Sequence, residues 1–315
     1  MNPDYASTFA FDNDFGALLP IAHGEPVEPP STLGQPQGRP ERSRGTTSSG
    51  RAGAIGELLI SAPERGLCRV VCFSPRHDLS LPRMDAPAIR AVVDLWIDEC
   101  ASLAARPWVG YALVFENRGT VMGASNPHPH GQIWATEHVP NHPDREERQL
   151  AAYRADRGSC LLCDYVALET TLAERLVCAN DHFVAIVPFW AAWPFEMLLV
   201  SRAHVASMAD LDASGRDALA DILKRLTTRC DNVFDTPFPY SMGFHQRLRP
   251  GSSDHAHLHA HVYPPLLRSA SIRKFMVGFE LLGSPQRDFT PESAAARLQA
   301  AGDVHYSERR TGVTR

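Results

Sequence analysis

No run of about eighteen apolar residues occurs in this chain of 315 residues, so no membrane-spanning helix is expected. Positive charge is not in surplus: 31 Lys and Arg stand against 36 Asp and Glu, a net charge of −5. That leaves no basic footprint for nucleic acid. Cysteine is sparse and odd in number, seven in all. This argues against a disulfide framework and for a reducing compartment, with the cytoplasm as the default. Residues Met1 to Tyr5 show no basic region leading into an apolar core, so no signal peptide is read there. What is present is 44% hydrophobic and 21% charged, the balance of a globular protein with a sizeable core. Histidine is plentiful, fourteen residues, and it clusters.

The densest cluster lies in Ser125 to Trp134, where His128 and His130 flank Pro129 and are followed by Gly131 and Gln132. Residues two apart in extended chain project to the same side. Pro129 stiffens the backbone between them, and Gly131 leaves room for a phosphate or a backbone to approach. Gln132 adds an amide that hydrogen-bonds but does not titrate.

The rest of the chain reads as a duplicated α+β unit. A strand over 68–74 ends at Ser74 and His77, and a helix capped by Asp85 carries Ile89, Val92, Val93, Trp96 and Cys100 on one face. A strand over 108–115 leads to Asn117 and the His-Pro-His stretch. The second half repeats this order: a strand over 197–200 ends at Ser201 and His204, and a helix capped by Asp212 carries Leu219, Ile222, Leu223, Leu226 and Cys230. His257, His259 and His261 then echo the first histidine cluster. Four echoes in the same order indicate an ancient duplication. The expected domains are 1–140 and 141–315. Residues 24–53, rich in Pro, Gly, Ser and Arg, are expected to be a disordered surface insertion. Residues 292–301 are expected to form a closing helix.

His130 is the candidate nucleophile. A neutral imidazole attacks phosphorus when one ring nitrogen is bare and the other is held by a hydrogen bond. Gln132 can donate to a phosphoryl oxygen as charge builds there. An amide does not protonate a leaving group, which suits one that departs as a stable anion, such as a sugar phosphate. Cys160 and Cys163 form a CxxC pair that suits tetrahedral zinc if two histidines join it. The repeat proposes His204 and His259. A matching first site would use His77 and His128. Its cysteine pair, counted back from Asn13, falls before Met1, so a truncated start is the expectation. Arg268, Arg273 and Lys274 offer cations for phosphates.

The string Ser125 to Trp134 resembles the active-site motif of the galactose-1-phosphate uridylyltransferase family, within the histidine-triad superfamily. The stretches 188–196, 238–243, 263–270 and 274–280 resemble the same family, and the likeness runs from Asn2 to about Tyr306. It implies two histidine-triad-like repeats, each an antiparallel sheet with a packed helix. It implies a ping-pong reaction in which UDP-glucose uridylylates His130 and galactose 1-phosphate takes the uridylyl group. By the same likeness Asn13 and Asp14 hold uridine and ribose. Asn117, Ser125 and Gln132 hold phosphates, and Lys274, Phe275, Glu280 and Gln286 face the hexose. Phe279 stands where tyrosine is usual. A homodimer is implied.

His77 and His128 resemble zinc ligands. An iron-type site is implied at Asp144, His245, His259 and His261, and a zinc site seen in some relatives at Cys160, Cys163, His204 and His259. These two schemes share His259, and the thiolate set is preferred because thiolates favour zinc. Zinc is therefore the expected cofactor, with iron or a second zinc as the further possibility. Two other functional readings stand beside the transferase: a related nucleotide-sugar phosphorylase or nucleotide hydrolase, and a truncated, non-catalytic nucleotide-binding remnant.

Overall fold

The structure is a computed structural model. It describes residues 5–13, 18, 53–55, 59–61, 63–124, 126–247 and 255–311. The expected insertion at 24–53 lies outside the described residues except for Gly53, and so do Asp14 and Ser125.

The strands are β1 (Phe9–Asp12), β2 (Gly53–Ile55), β3 (Leu59–Ser61), β4 (Gly66–Cys72), β5 (Tyr111–Arg118), β6 (His130–Thr136), β7 (Leu176–Ala179), β8 (Phe183–Ile186), β9 (Met197–Ser201), β10 (Tyr240–His245) and β11 (His259–Tyr263). The helices are α1 (Ala86–Ala104), α2 (Asn141–Arg157), α3 (Leu161–Leu172), α4 (Ala213–Val233), α5 (Phe279–Leu282), α6 (Pro291–Ala301) and α7 (Tyr306–Thr311). Among the described residues nine strands form one antiparallel sheet in the order β1-β4-β6-β5-β10-β11-β9-β8-β7, and β2 pairs with β3. The two repeats are thus halves of a single sheet, joined where β5 pairs with β10.

The two long helices form for the same reasons. Asp85 accepts a hydrogen bond from the Ala88 N–H at 2.9 Å, and Asp212 from the Gly215 N–H at 2.7 Å. Each cap satisfies an otherwise orphaned donor. Ile89, Val92, Val93 and Trp96 of α1 and Leu219, Ile222, Leu223, Leu226 and Cys230 of α4 are fully buried in one core. Each such side chain contributes roughly 1.5–3 kcal/mol on burial. Cys100, at the end of the α1 face, is only partly buried.

The other face of the sheet separates the two halves. In β8 and β9 every residue is buried. Ala185, Met197 and Leu199 join the α1–α4 core, while Val184, Ile186, Leu198 and Val200 pack under Leu150 of α2 and Leu162 and Val166 of α3. The second half is therefore covered on both faces. In β6 burial alternates instead: Gly131, Ile133 and Ala135 are buried, and His130, Gln132 and Trp134 are only partly so. Among the described residues no helix is long and apolar enough to cross a membrane.

Candidate functional site

His130 opens β6, opposite Cys72 of β4. Its Nδ1 lies 2.7 Å from the carbonyl oxygen of His128. A carbonyl only accepts, so Nδ1 carries the proton and Nε2 is left bare. Gln132 follows on the same side of the strand. The Trp134 Nε1–H donates to Gln132 Oε1 at 2.9 Å, which turns the amide so that its NH2 end is the one presented. Ser241 does the same for Asn117, donating to Oδ1 at 2.6 Å across the β5–β10 seam. The register that pairs Phe115 with Gln132 carries Asn117, two residues on, toward His130. A bare imidazole nitrogen and two amides fixed as donors make a site for a phosphoryl group. Trp134 and Ser241, which set the amides, were not singled out from sequence. Gly131 is required by the sheet: a Cβ there would sit 2.9 Å from the Phe115 carbonyl oxygen and the Phe73 ring. His77, Glu116, Asn117, Arg118, Asn126 and His130 border a cavity of about 500 Å³.

The second half gathers two groups able to hold a metal. Cys160, Cys163, His204 and His257 bring one donor atom each within 4.8 Å of one another. His257 Nε2 donates to the Ser201 carbonyl at 2.7 Å, leaving Nδ1 bare toward Cys160 Sγ at 3.3 Å and Cys163 Sγ at 3.6 Å. His204 Nδ1 lies 3.7 Å from Cys163 Sγ. Sulfur and nitrogen bound to one tetrahedral zinc stand about 3.6 Å apart, so this donor set fits. An outer N–H given to a carbonyl is also the usual support of a metal-bound histidine.

The other group is Glu146, His245, His259 and His261. His259 Nδ1 donates to the His257 carbonyl at 2.7 Å, so in the neutral ring a bare Nε2 faces Glu146 Oε2 at 3.2 Å. Two acceptors facing each other call for a cation between them. His261 Nε2 is buried without a hydrogen bond, 3.2 Å from Glu146 Oε1. This set fits a metal too.

Two ligand assignments are thereby corrected. His257, not His259, joins the thiols, and the carboxylate beside the three histidines is Glu146, not Asp144. Asp144 sits in the first turn of α2 and pairs with Arg148 at the surface. The two groups share no residue, so filling one does not preclude filling the other. The spacing itself carried a signal for His257: His77 to His128 is 51 residues and His204 to His257 is 53, against 55 to His259.

The first-half histidines behave differently. His77 Nδ1 and His128 Nδ1 are 2.8 Å apart, a hydrogen-bond distance. Two nitrogens on a tetrahedral zinc stand about 3.3 Å apart. Among the described residues no cysteine, carboxylate or third histidine completes a set with them. This pair does not fit a metal as it stands.

Two family models match the chain. "Galactose-1-phosphate uridyl transferase, N-terminal domain" matches residues 1–140, and the corresponding C-terminal domain matches residues 146–310. The chain belongs to the galactose-1-phosphate uridylyltransferase family. It is 46% identical over 311 residues to the galactose-1-phosphate uridylyltransferase of Haemophilus influenzae, covering 98% of this chain and 81% of that protein. It is 45% identical to the enzyme of that name from Rattus norvegicus, covering 97% and 74%. A solved uridylyltransferase superposes with a TM-score of 0.78 at 27% identity, covering 95% of this chain and 85% of that one. An ADP-glucose phosphorylase from Arabidopsis thaliana shares the fold, with a TM-score of 0.70 at 22% identity over 93% and 82% of the two chains.

The residues that the family likeness assigns to the hexose side do not border the His130 cavity. Lys274 is buried, ion-paired to Glu280 and to Asp288 at 2.8 Å. Lys274 and Phe275 line a separate cavity of about 260 Å³ with Val121 and Met122. Phe275 and Gln286 are exposed. Asn13 is half-buried, its N–H donating to the Cys68 carbonyl at 2.8 Å.

Proposed function

We propose that this family member transfers a uridylyl group from UDP-glucose to galactose 1-phosphate by a ping-pong route through His130. One observation carries the reading: the His130 Nδ1–H is held by the His128 carbonyl, with the amides of Gln132 and Asn117 fixed as donors beside it. The bare Nε2 attacks the α-phosphorus of UDP-glucose, and the bond to the glucose 1-phosphate oxygen breaks. That group leaves as an anion and needs no proton. The amides stabilise the non-bridging oxygens as charge builds. A phosphate oxygen of galactose 1-phosphate then attacks the uridylyl-imidazole, and the P–N bond breaks to restore His130.

Cys160, Cys163, His204 and His257 would hold zinc, and Glu146, His245, His259 and His261 a second zinc or iron. A metal at either place would cross-link α2 or α3 to the sheet. Lys274, Phe275, Glu280 and Gln286 would serve the hexose of the partner subunit in a homodimer, since in their own chain they line or flank a cavity other than that of His130. A cytoplasmic location is part of this reading.

Incubation with UDP-glucose labelled in the uridylyl group tests it. The expected result is a labelled protein, stable to base and labile to acid, with no label on His130→Gly. A folded wild-type chain that takes no label would sink the proposal.

A further inference from the structure

Tyr5 stands against His128. Its hydroxyl donates to the Ser74 carbonyl at 3.0 Å and lies 2.9 Å from His128 Nε2. An O–H that has given its one proton to a carbonyl accepts from the ring, so His128 carries its proton on Nε2. Its Nδ1 is then bare and accepts from the His77 Nδ1–H at 2.8 Å. With neutral rings, protons thus run one way, from His77 to His128 to Tyr5 to the Ser74 carbonyl.

The second repeat supplies an internal control. Ser201 and His257 occupy the places of Ser74 and His128. There the histidine Nε2–H reaches the Ser201 carbonyl directly at 2.7 Å. In the first repeat the Tyr5 hydroxyl joins that pair, accepting from the His128 ring and donating to the Ser74 carbonyl. His257 Nδ1 meets two thiols, and His128 Nδ1 meets a hydrogen-bonded histidine.

We propose that Tyr5 is a positioning residue for the nucleophile. It latches the His128 ring by hydrogen bonds and so holds the His128 carbonyl that fixes the His130 tautomer. The latch is itself anchored. The Tyr5 ring stacks on Phe9, and Phe9 pairs with Cys72 at the sheet edge. The Phe73 N–H holds the Pro129 carbonyl at 2.9 Å, between the two histidines. Tyr5 therefore ties β1, the end of β4 and the histidine loop to one another. This inference rests on His130 being the nucleophile.

The test is ¹⁵N NMR of the histidine rings in the resting full chain, paired with single-turnover uridylylation and metal analysis. Expected in wild type are His128 protonated at Nε2 and His130 at Nδ1. In Tyr5→Phe both rings should show mixed tautomers. The uridylylation rate should fall about tenfold, the worth of one lost hydrogen bond, with KM for UDP-glucose within about twofold and metal per chain unchanged. His128 protonated at Nδ1 in wild type would overturn the proposal, even if Tyr5→Phe does not fold. So would an unchanged rate in Tyr5→Phe, or loss of one metal equivalent in His77→Ala. The tautomers are read without substrate, so they stand or fall separately from the transfer reaction.

Discussion

The two repeats place a histidine pair at the start of a strand in the same way and surround it differently. His130 and His259 each donate Nδ1–H to the carbonyl two residues back, at 2.7 Å in both cases. His130 stands at the cavity that His77 and Asn117 also border. The Nε2 of His259 points at Glu146 beneath the α2–α3 pair. The cover differs: α2 brings the Glu146 carboxylate to His259, while the ring hydrogen bond of His130 goes to the His128 carbonyl.

Breaking the comparison at its catalytic end has the largest expected effect. His130→Gly should lower uridylyl transfer by about 10⁶-fold, as loss of a covalent nucleophile does, while His259→Gln should leave His130 able to take label. Steady-state assay and labelling of the two variants check this together. An equal loss in both would show that the halves are not specialised as described. Next is Gln132→Ala, which removes one oriented donor. A fall in kcat of about 10²–10³-fold is expected. Trp134→Phe keeps the glutamine but frees its amide to turn and should cost only several-fold.

On the metal side, Cys160→Ser and Glu146→Gln should each remove one metal equivalent, and a different one, because their groups share no residue. Loss of a metal link destabilises by at least about 4 kcal/mol. Elemental analysis with chemical denaturation measures both quantities. If one variant emptied both places, the separation drawn here between His257 and His259 would fail.

Much of this was open to reading from sequence, and the exceptions share a cause. The α1 and α4 faces could be named because helical period and an aspartate cap both point to one solution. The second-half ligands could not, because residues two apart on a strand face the same way. His257 and His259 are equivalent by that rule, and the one signal that separates them is the spacing from His204, 53 residues against 55. Asp144 and Glu146 differ by two positions on a helix, which is more than half a turn. Asp144, placed by the family likeness, pairs along the helix with Arg148, while Glu146 turns its carboxylate to His245, His259 and His261. The fusion of both repeats into one sheet was hidden as well, since the apolar alternation of β5 and β10 does not say which strand lies beside which. Tyr5 carried no signal at all, because its partners are 69 and 123 residues away.

That seam offers the last and smallest test. Glu116 of β5 is buried, and the Tyr240 hydroxyl of β10 donates to its Oε2 at 2.9 Å. Burial pushes its carboxyl up to about 7, against the pull of the Arg118 guanidinium. A carboxyl raised above its unfolded value, near 4.5, keeps its proton longer in the folded state. Its contribution is therefore fully present below about pH 4.5 and is lost as pH rises through about 7. The loss across that window is on the order of 3 kcal/mol. Glu116→Gln keeps the shape and removes the titration. Urea denaturation at about pH 5 and about pH 8 should show wild type losing stability between the two, and the variant losing less. Parallel slopes would mean that Glu116 is already ionised at the lower pH, held so by Arg118, and that the two repeats are joined across a charged seam rather than a neutral one.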